Sequence, residues 1–278
     1  MVARYVRSHD GLRLHVDVSG NAEGRPIVFV HGWSQSYLSW VEQLRDPALS
    51  DEFHLIAVDL RGHGASDAPV DDPERYRASE IWAQDLDAVI RACATRPPVL
   101  VGWSYGGFVI GDYLRLNGDG AIAGVNFVDW AVIMGSAGRD AGLIGDGFFD
   151  YYDGATSDDL KANIVAMRGF VRACTARDLS PERVEEILAF NMKVPPFVRW
   201  AMTTRQDSDN TPELRALTVP VLSTQGGRDD VALPAAAEYV RQNVADCRVS
   251  LYEECGHSPF LEAPERFNRE LADFVRSL

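Results

Sequence analysis

The pattern that most narrows the fold of this chain is an alternation. Short apolar, β-branched runs at residues 26–30, 53–58, 99–101, 122–128, 219–224 and 248–252 read as strands. Stretches with helical spacing lie between or after them, at 36–44, 74–94, 107–116, 235–244 and 264–278. Before them, residues 3–18 alternate around Asp10-Gly11, the pattern of an antiparallel hairpin. Strands that alternate with helices predict a mostly parallel sheet of eight strands covered on both faces. One stretch, 135–215, interrupts the alternation. It carries helical patterns at 158–174, 181–190 and 196–202, many aromatic residues and no convincing strand. It is expected to form a helical cap inserted after the sixth strand, leaving a core of 1–134 and 216–278.

The 278 residues, 46% hydrophobic and 24% charged, fit one compact globular unit with such an insert. Acidic residues exceed basic ones by 41 to 27, and a net charge of −14 repels phosphate backbones and anionic headgroups. Nucleic-acid and membrane partners are disfavoured. No run approaches the roughly 18 apolar residues of a membrane span, and residues 1–20 hold no uninterrupted apolar segment. A cytoplasmic location is the expectation. Cys93, Cys174, Cys247 and Cys255 show no CxxC spacing, which predicts reduced, packed thiols and neither a disulfide framework nor a zinc site.

The sharpest local signal is Gly102-Trp103-Ser104-Tyr105-Gly106-Gly107, set between a strand pattern and a helix pattern. A chain that turns this sharply needs small residues two before and two after the serine. The turn lifts Ser104 to the carboxyl edge of the sheet, where the following helix points N–H groups at any anion formed.

A serine hydroxyl needs a general base, and histidine is suited to it. His9, His15 and His54 sit in the opening hairpin or at a strand start, while His31 and His63 occupy glycine-flanked turns and are expected to fix loop geometry. His257, in Cys255-Gly256-His257-Ser258-Pro259, follows the last strand at the same sheet edge as Ser104. Its imidazole requires a carboxylate partner. Asp230, Asp229 and Asp129 all leave strands at that edge, with Asp230 favoured, Asp129 the alternative acid and Asp229 third. The backbone N–H groups of Tyr105 and Trp33 are placed to form an oxyanion hole, each donor worth roughly two to three orders of magnitude in rate.

These motifs together resemble the α/β-hydrolase superfamily over nearly the whole chain. They are His31-Gly32-Trp33-Ser34, Val58-Asp59-Leu60-Arg61-Gly62-His63-Gly64-Ala65-Ser66, the serine turn, Gly227-Arg228-Asp229-Asp230 with Pro234, and Gly256-His257-Ser258-Pro259-Phe260-Leu261-Glu262. The resemblance implies the α/β-hydrolase fold, a triad in the order serine, acid, histidine, and no metal or organic cofactor. In the family's pattern the acid stands three after the glycine and four before the proline, which selects Asp230. Among branches the chain is most similar to serine esterases and cofactor-free haloperoxidases with a helical cap, and the phrase from Asn191 to Arg199 is similar to that group. Serine at the turn speaks against dehalogenases and epoxide hydrolases, which use aspartate there. Asp129-Trp130 resembles relatives that take their acid from this strand, among them some lactone hydrolases and cofactor-independent dioxygenases.

The function expected is hydrolysis of a carboxylic ester or lactone through an acyl-enzyme. Peracid formation or cofactor-independent dioxygenation in the same pocket is the alternative, and a non-catalytic receptor ranks below both. The aromatic cap predicts a small apolar or ring-bearing substrate, with some of Phe148, Phe149, Tyr151, Tyr152, Met192, Phe197, Trp200 and Met202 lining the pocket beside Trp33 and Trp130, and Trp130, Phe197 and Trp200 as the named candidates.

Overall fold

The computed structural model describes residues 2–205 and 209–278. Eight strands form one sheet: β1 (Val2–Arg7), β2 (Arg13–Gly20), β3 (Pro26–Val30), β4 (His54–Val58), β5 (Val99–Trp103), β6 (Gly124–Val128), β7 (Val221–Gly226) and β8 (Cys247–Tyr252). Their spatial order is β1-β2-β4-β3-β5-β6-β7-β8. β1 and β2 form an antiparallel hairpin that pairs antiparallel to β4, and every pairing from β4 onward is parallel. After β4 the chain passes over β3 to add β5 on its other side. The direction of winding reverses there, and such a reversal opens a crevice at the carboxyl ends of the strands.

The middle strands are buried along their whole length, as strands covered on both faces must be. Alternate residues serve opposite layers. Ile27 and Phe29 of β3 pack with Trp40 and with Phe267, Leu271 and Phe274 of the last helix, Pro264–Arg276. Val28 and Val30 face the other layer, with Trp82, Leu86 and Val89 of Ser79–Cys93 and Val109 and Ile110 of Tyr105–Asn117.

Two local departures from the sequence expectation have physical causes. The helix pattern at 74–94 splits into Glu74–Arg77 and Ser79–Cys93, because Ala78 is extended (ψ 125°) and the Trp82 indole N–H takes the carbonyl of Tyr76 at 2.9 Å. The seventh strand runs from Val221, two residues later than the apolar run begins. The Asp119 carboxylate accepts the N–H groups of Thr218 and Val219 and holds them in a loop.

Between β6 and β7 the described residues form helices, including Asp146–Ala155, Leu160–Ala173, Pro181–Asn191 and Pro196–Thr203, and no strand beyond two isolated bridges. Arg199 joins this segment to the core. It is fully buried, donates to Ser34 Oγ (2.8 Å), Asn163 Oδ1 (2.7 Å) and the carbonyls of Ala155 (3.0 Å) and Asn191 (2.7 Å), and makes no salt bridge among the described residues. Ala155 and Asn191 end their helices, so the guanidinium sits against two negative dipole ends. Among the described residues, no helix is long and apolar enough to cross a membrane. All four cysteines are free thiols.

Candidate active site

Ser104 stands between β5 and the helix Tyr105–Asn117 with φ 52° and ψ −117°, a strained geometry for a residue with a side chain. Glycines make the turn feasible. A Cβ on Gly106 would lie 2.2 Å from the carbonyl oxygen of Val30, and one on Gly102 would lie 2.6 Å from the Ile110 side chain and 2.9 Å from the Gly106 backbone. The next strand also takes part, since the Ser104 N–H donates to Val128 O at 2.9 Å.

His257 reaches the same place from the loop after β8. Glu262 holds that loop, accepting the N–H groups of Gly256 (2.7 Å), Ala176 (3.0 Å) and Arg177 (3.1 Å), so core and cap backbone share one carboxylate. The His257 ring is buried. Its Nδ1 lies 2.8 Å from Asp229 Oδ2, while Nε2 has no hydrogen-bond partner among the described residues. Nε2 is therefore the nitrogen available to a hydroxyl in the cavity that His257 and Ser104 both line.

The carboxylate on His257 corrects the expectation from the glycine-to-proline count. Asp229 is buried, and its Oδ1 accepts the N–H groups of Val231 (2.7 Å) and Ala232 (3.0 Å), a local turn that aims the other oxygen inward. Asp230 is exposed, and its contribution is a backbone carbonyl that accepts from Gly147 N at 2.9 Å. Because β7 continues to Gly226, the turn after it is tighter than the apolar run implied, and the earlier of the two aspartates faces the site. Asp129, the alternative acid, closes β6 at φ 46° and also lines the cavity. Atoms of Asp129, Asp229 and His257 lie within 4.8 Å of one another.

Tyr105 opens its helix, where first-turn N–H groups lack intrahelical acceptors. Its hydroxyl donates to Met202 O (2.9 Å) and accepts from Arg205 (3.2 Å), tying the helix that follows Ser104 to the segment between β6 and β7. Across the serine, the Gly32 turn presses so close that a Cβ there would be 3.2 Å from Ser104 Cβ. Trp33 follows, its indole N–H held by Arg199 O at 3.0 Å. His31 and His63 support this turn from below. His31 Nε2 accepts the Leu60 N–H (3.1 Å), His63 Nδ1 bonds Arg61 O (2.8 Å), and the rings are 4.9 Å apart. Burial pushes both imidazoles down, His63 to about 3.

The cavity, about 210 Å³, is walled by Trp33, Phe108, Met134, Ile144, Phe148, Phe149, Tyr152 and Val231, with no lysine or arginine. Thr203 and Tyr152 add a hydroxyl pair 2.9 Å apart. Three expected pocket residues lie elsewhere. Trp130 is buried beneath, stacked on Phe127 at 4.2 Å and against Gly107. Phe197 packs on Tyr76, and Trp200 is 38% exposed with the Arg77 guanidinium over its ring. Arg199, which no sequence signal beyond the phrase from Asn191 to Arg199 marked, links the helices between β6 and β7 to the turn facing the serine, with the carbonyl of Asn191 beside it accepting from Ser34 Oγ.

The fold and this arrangement of serine, histidine and aspartate define an α/β hydrolase. Residues 27–270 match the model of the alpha/beta hydrolase family, and the chain belongs to it. It is similar to the crystal structure of the esterase RhEst1 from Rhodococcus sp. ECU1013, with 35% identity, a TM-score of 0.89 and all of both chains covered. It is also 29% identical to a pimeloyl-[acyl-carrier protein] methyl ester esterase of Nitrosomonas europaea, over 91% of this chain and 96% of that one. A non-heme chloroperoxidase of Streptomyces lividans is 27% identical over 98% and 99% respectively.

Proposed function

We propose that this protein is a serine hydrolase that cleaves small, uncharged carboxylic esters or lactones, with Ser104 as nucleophile, His257 as base and Asp229 as the acid that orients it. The observation that carries this reading is the pairing of a strained Ser104 with a buried His257 whose Nε2 is unpartnered in the same apolar cavity.

In the first half-reaction Ser104 Oγ attacks the ester carbonyl and its proton passes to Nε2. Nδ1–H stays on Asp229, which holds the tautomer and stabilises the imidazolium. The carbonyl oxygen becomes an oxyanion facing the N–H groups of Tyr105 and Trp33. Collapse breaks the bond to the alcohol, which leaves with the proton from Nε2. Water, deprotonated by His257, then attacks the acyl-enzyme and releases the acid and free Ser104.

The wall chemistry supports the substrate class. An acyl or aryl group finds rings and aliphatic chains, while an anionic group would find no cation among the residues lining the cavity. Similarity to the chloroperoxidase supports a second outcome of the same acyl-enzyme: hydrogen peroxide in place of water would release a peracid.

Ser104→Ala tests the assignment with a short p-nitrophenyl ester and a fluorophosphonate label. Loss of turnover by about three orders of magnitude or more, with loss of labelling and an unchanged melting curve, is expected. Retained turnover would overturn it.

A further inference from the structure

The proposed triad leaves a buried carboxyl that lines the same cavity, Asp129, without a task. Asp129 Oδ1 accepts the Gly226 N–H (2.7 Å) and the Gln225 side-chain N–H (3.0 Å), whereas Oδ2 is buried and meets no N–H or O–H donor among the described residues. Its nearest acidic neighbour is Asp229, a carboxylate oxygen of each lying within 4.8 Å of the other. Gln225 Nε2 spans the two, lying 3.4 Å from Asp229 Oδ2 as well.

The charges around the pair make two anions unfavourable. Glu262 faces it from the helix Pro259–Glu262, with Arg177 beside Glu262, and the Cys174 thiol faces it from the end of Leu160–Ala173. His257 is the imidazole within reach. Two ionised carboxylates within 4.8 Å of each other, both buried, repel at close range, and a single proton between them removes the repulsion. The same proton turns the orphaned Oδ2 into a donor.

We propose that Asp129 is a positioning residue, held as the neutral carboxylic acid and donating its Oδ2–H to Asp229. The site is then a relay of carboxylic acid, carboxylate and imidazole with one negative charge beside His257. This rests on the reading of Asp229 as the acid. Burial and the neighbouring Asp229 push the Asp129 carboxyl well above the usual range, in keeping with the geometry.

Asp129→Asn is the isostere of the neutral acid: its oxygen can accept the same two N–H groups, its amide can donate to Asp229, and asparagine tolerates the positive φ. Three readouts on the full chain apply. The infrared C=O stretch of a protonated carboxyl, present in the wild type at neutral pH, should disappear in D129N. The melting temperature of D129N should exceed the wild type by a margin that widens from pH 5 to pH 8, on the order of a few degrees. The sign follows from a folded pKa raised above the unfolded one, so that wild-type stability falls as pH rises while the variant does not titrate. Ester kcat/KM should stay within about threefold of wild type, against a loss of at least tenfold in Asp129→Leu, which lacks the donor. An unchanged carboxyl stretch, a pH-independent melting difference, or a D129N as inactive as Asp229→Asn would each overturn the proposal. The first two readouts need no catalysis, so they separate its failure from that of the Asp229 assignment, which would show as full activity in Asp229→Asn.

Discussion

His257 Nδ1 and Asp229 Oδ2 meet at 2.8 Å inside the protein, while the adjacent Asp230 points to solvent. Neighbouring residues in this turn have opposite surroundings, so the two carboxylates are separable by mutation. Asp229→Asn is expected to lower kcat on a p-nitrophenyl ester by about 10³–10⁴, because Nδ1 loses the acceptor that fixes the tautomer. Asp230→Asn should remain within about twofold. Steady-state kinetics of the two variants decide the matter, and the reverse ranking would reinstate the family spacing as the guide.

That pair also shows what a sequence carries and what it does not. The succession of strands and helices, the helical stretch between β6 and β7 and the serine turn were legible because each rests on local chemistry: β-branched runs, helical spacing, and glycines where a Cβ would strike Val30 or Ile110. The choice between Asp229 and Asp230 was not. It depends on the turn after β7, which is held by partners remote in sequence: the N–H groups of Gly227 and Arg228 donate to the carbonyls of Tyr252 (2.8 Å) and Cys255 (2.9 Å). The pocket wall was half legible for a similar reason. Phe148, Phe149 and Tyr152 reach the cavity and Phe197 and Trp200 do not, although all five are cap aromatics, because each helix presents only one face inward.

The wall itself can be tested by truncation. Phe149→Ala should open the cavity and shift preference toward longer or bulkier acyl groups, by about 10-fold in the ratio of kcat/KM for two esters differing by several methylenes. Trp200→Ala, on the outer surface, should leave that ratio unchanged within about twofold. An acyl-chain series on both variants gives the answer, and a shift from Trp200→Ala alone would relocate the binding site.

Arg199 makes a prediction about cap and catalysis together. Its fork reaches four oxygens in three cap helices and the core, a geometry that a lysine ammonium cannot reproduce. Arg199→Lys should cost about 2–4 kcal/mol in urea unfolding, as buried acceptors lose their donors. It should also lower kcat more than it raises KM, since Ser34 Oγ loses its guanidinium donor in the turn that carries Trp33 beside the serine. A variant of wild-type stability would show that the guanidinium is dispensable to the interface.

The buried histidines set the acid side of the stability curve. His63 is pushed down to about 3 by burial, with His31 beside it, and His31 is lowered by burial as well. A histidine with a depressed folded pKa is neutral in the fold and takes up its proton only on unfolding. Its stabilising effect is therefore full above the unfolded value near 6.5, and is lost as pH falls from there toward about 3. Each such group adds up to about 1.4 kcal/mol per pH unit to the slope. His63→Asn places an amide N–H where Nδ1 donates to Arg61 O and removes one titration. Urea midpoints between pH 4.5 and 7.5 should show proton uptake on unfolding smaller by about one in the variant, whatever its stability at pH 7. Identical slopes for variant and wild type would mean that His63 is already charged in the fold.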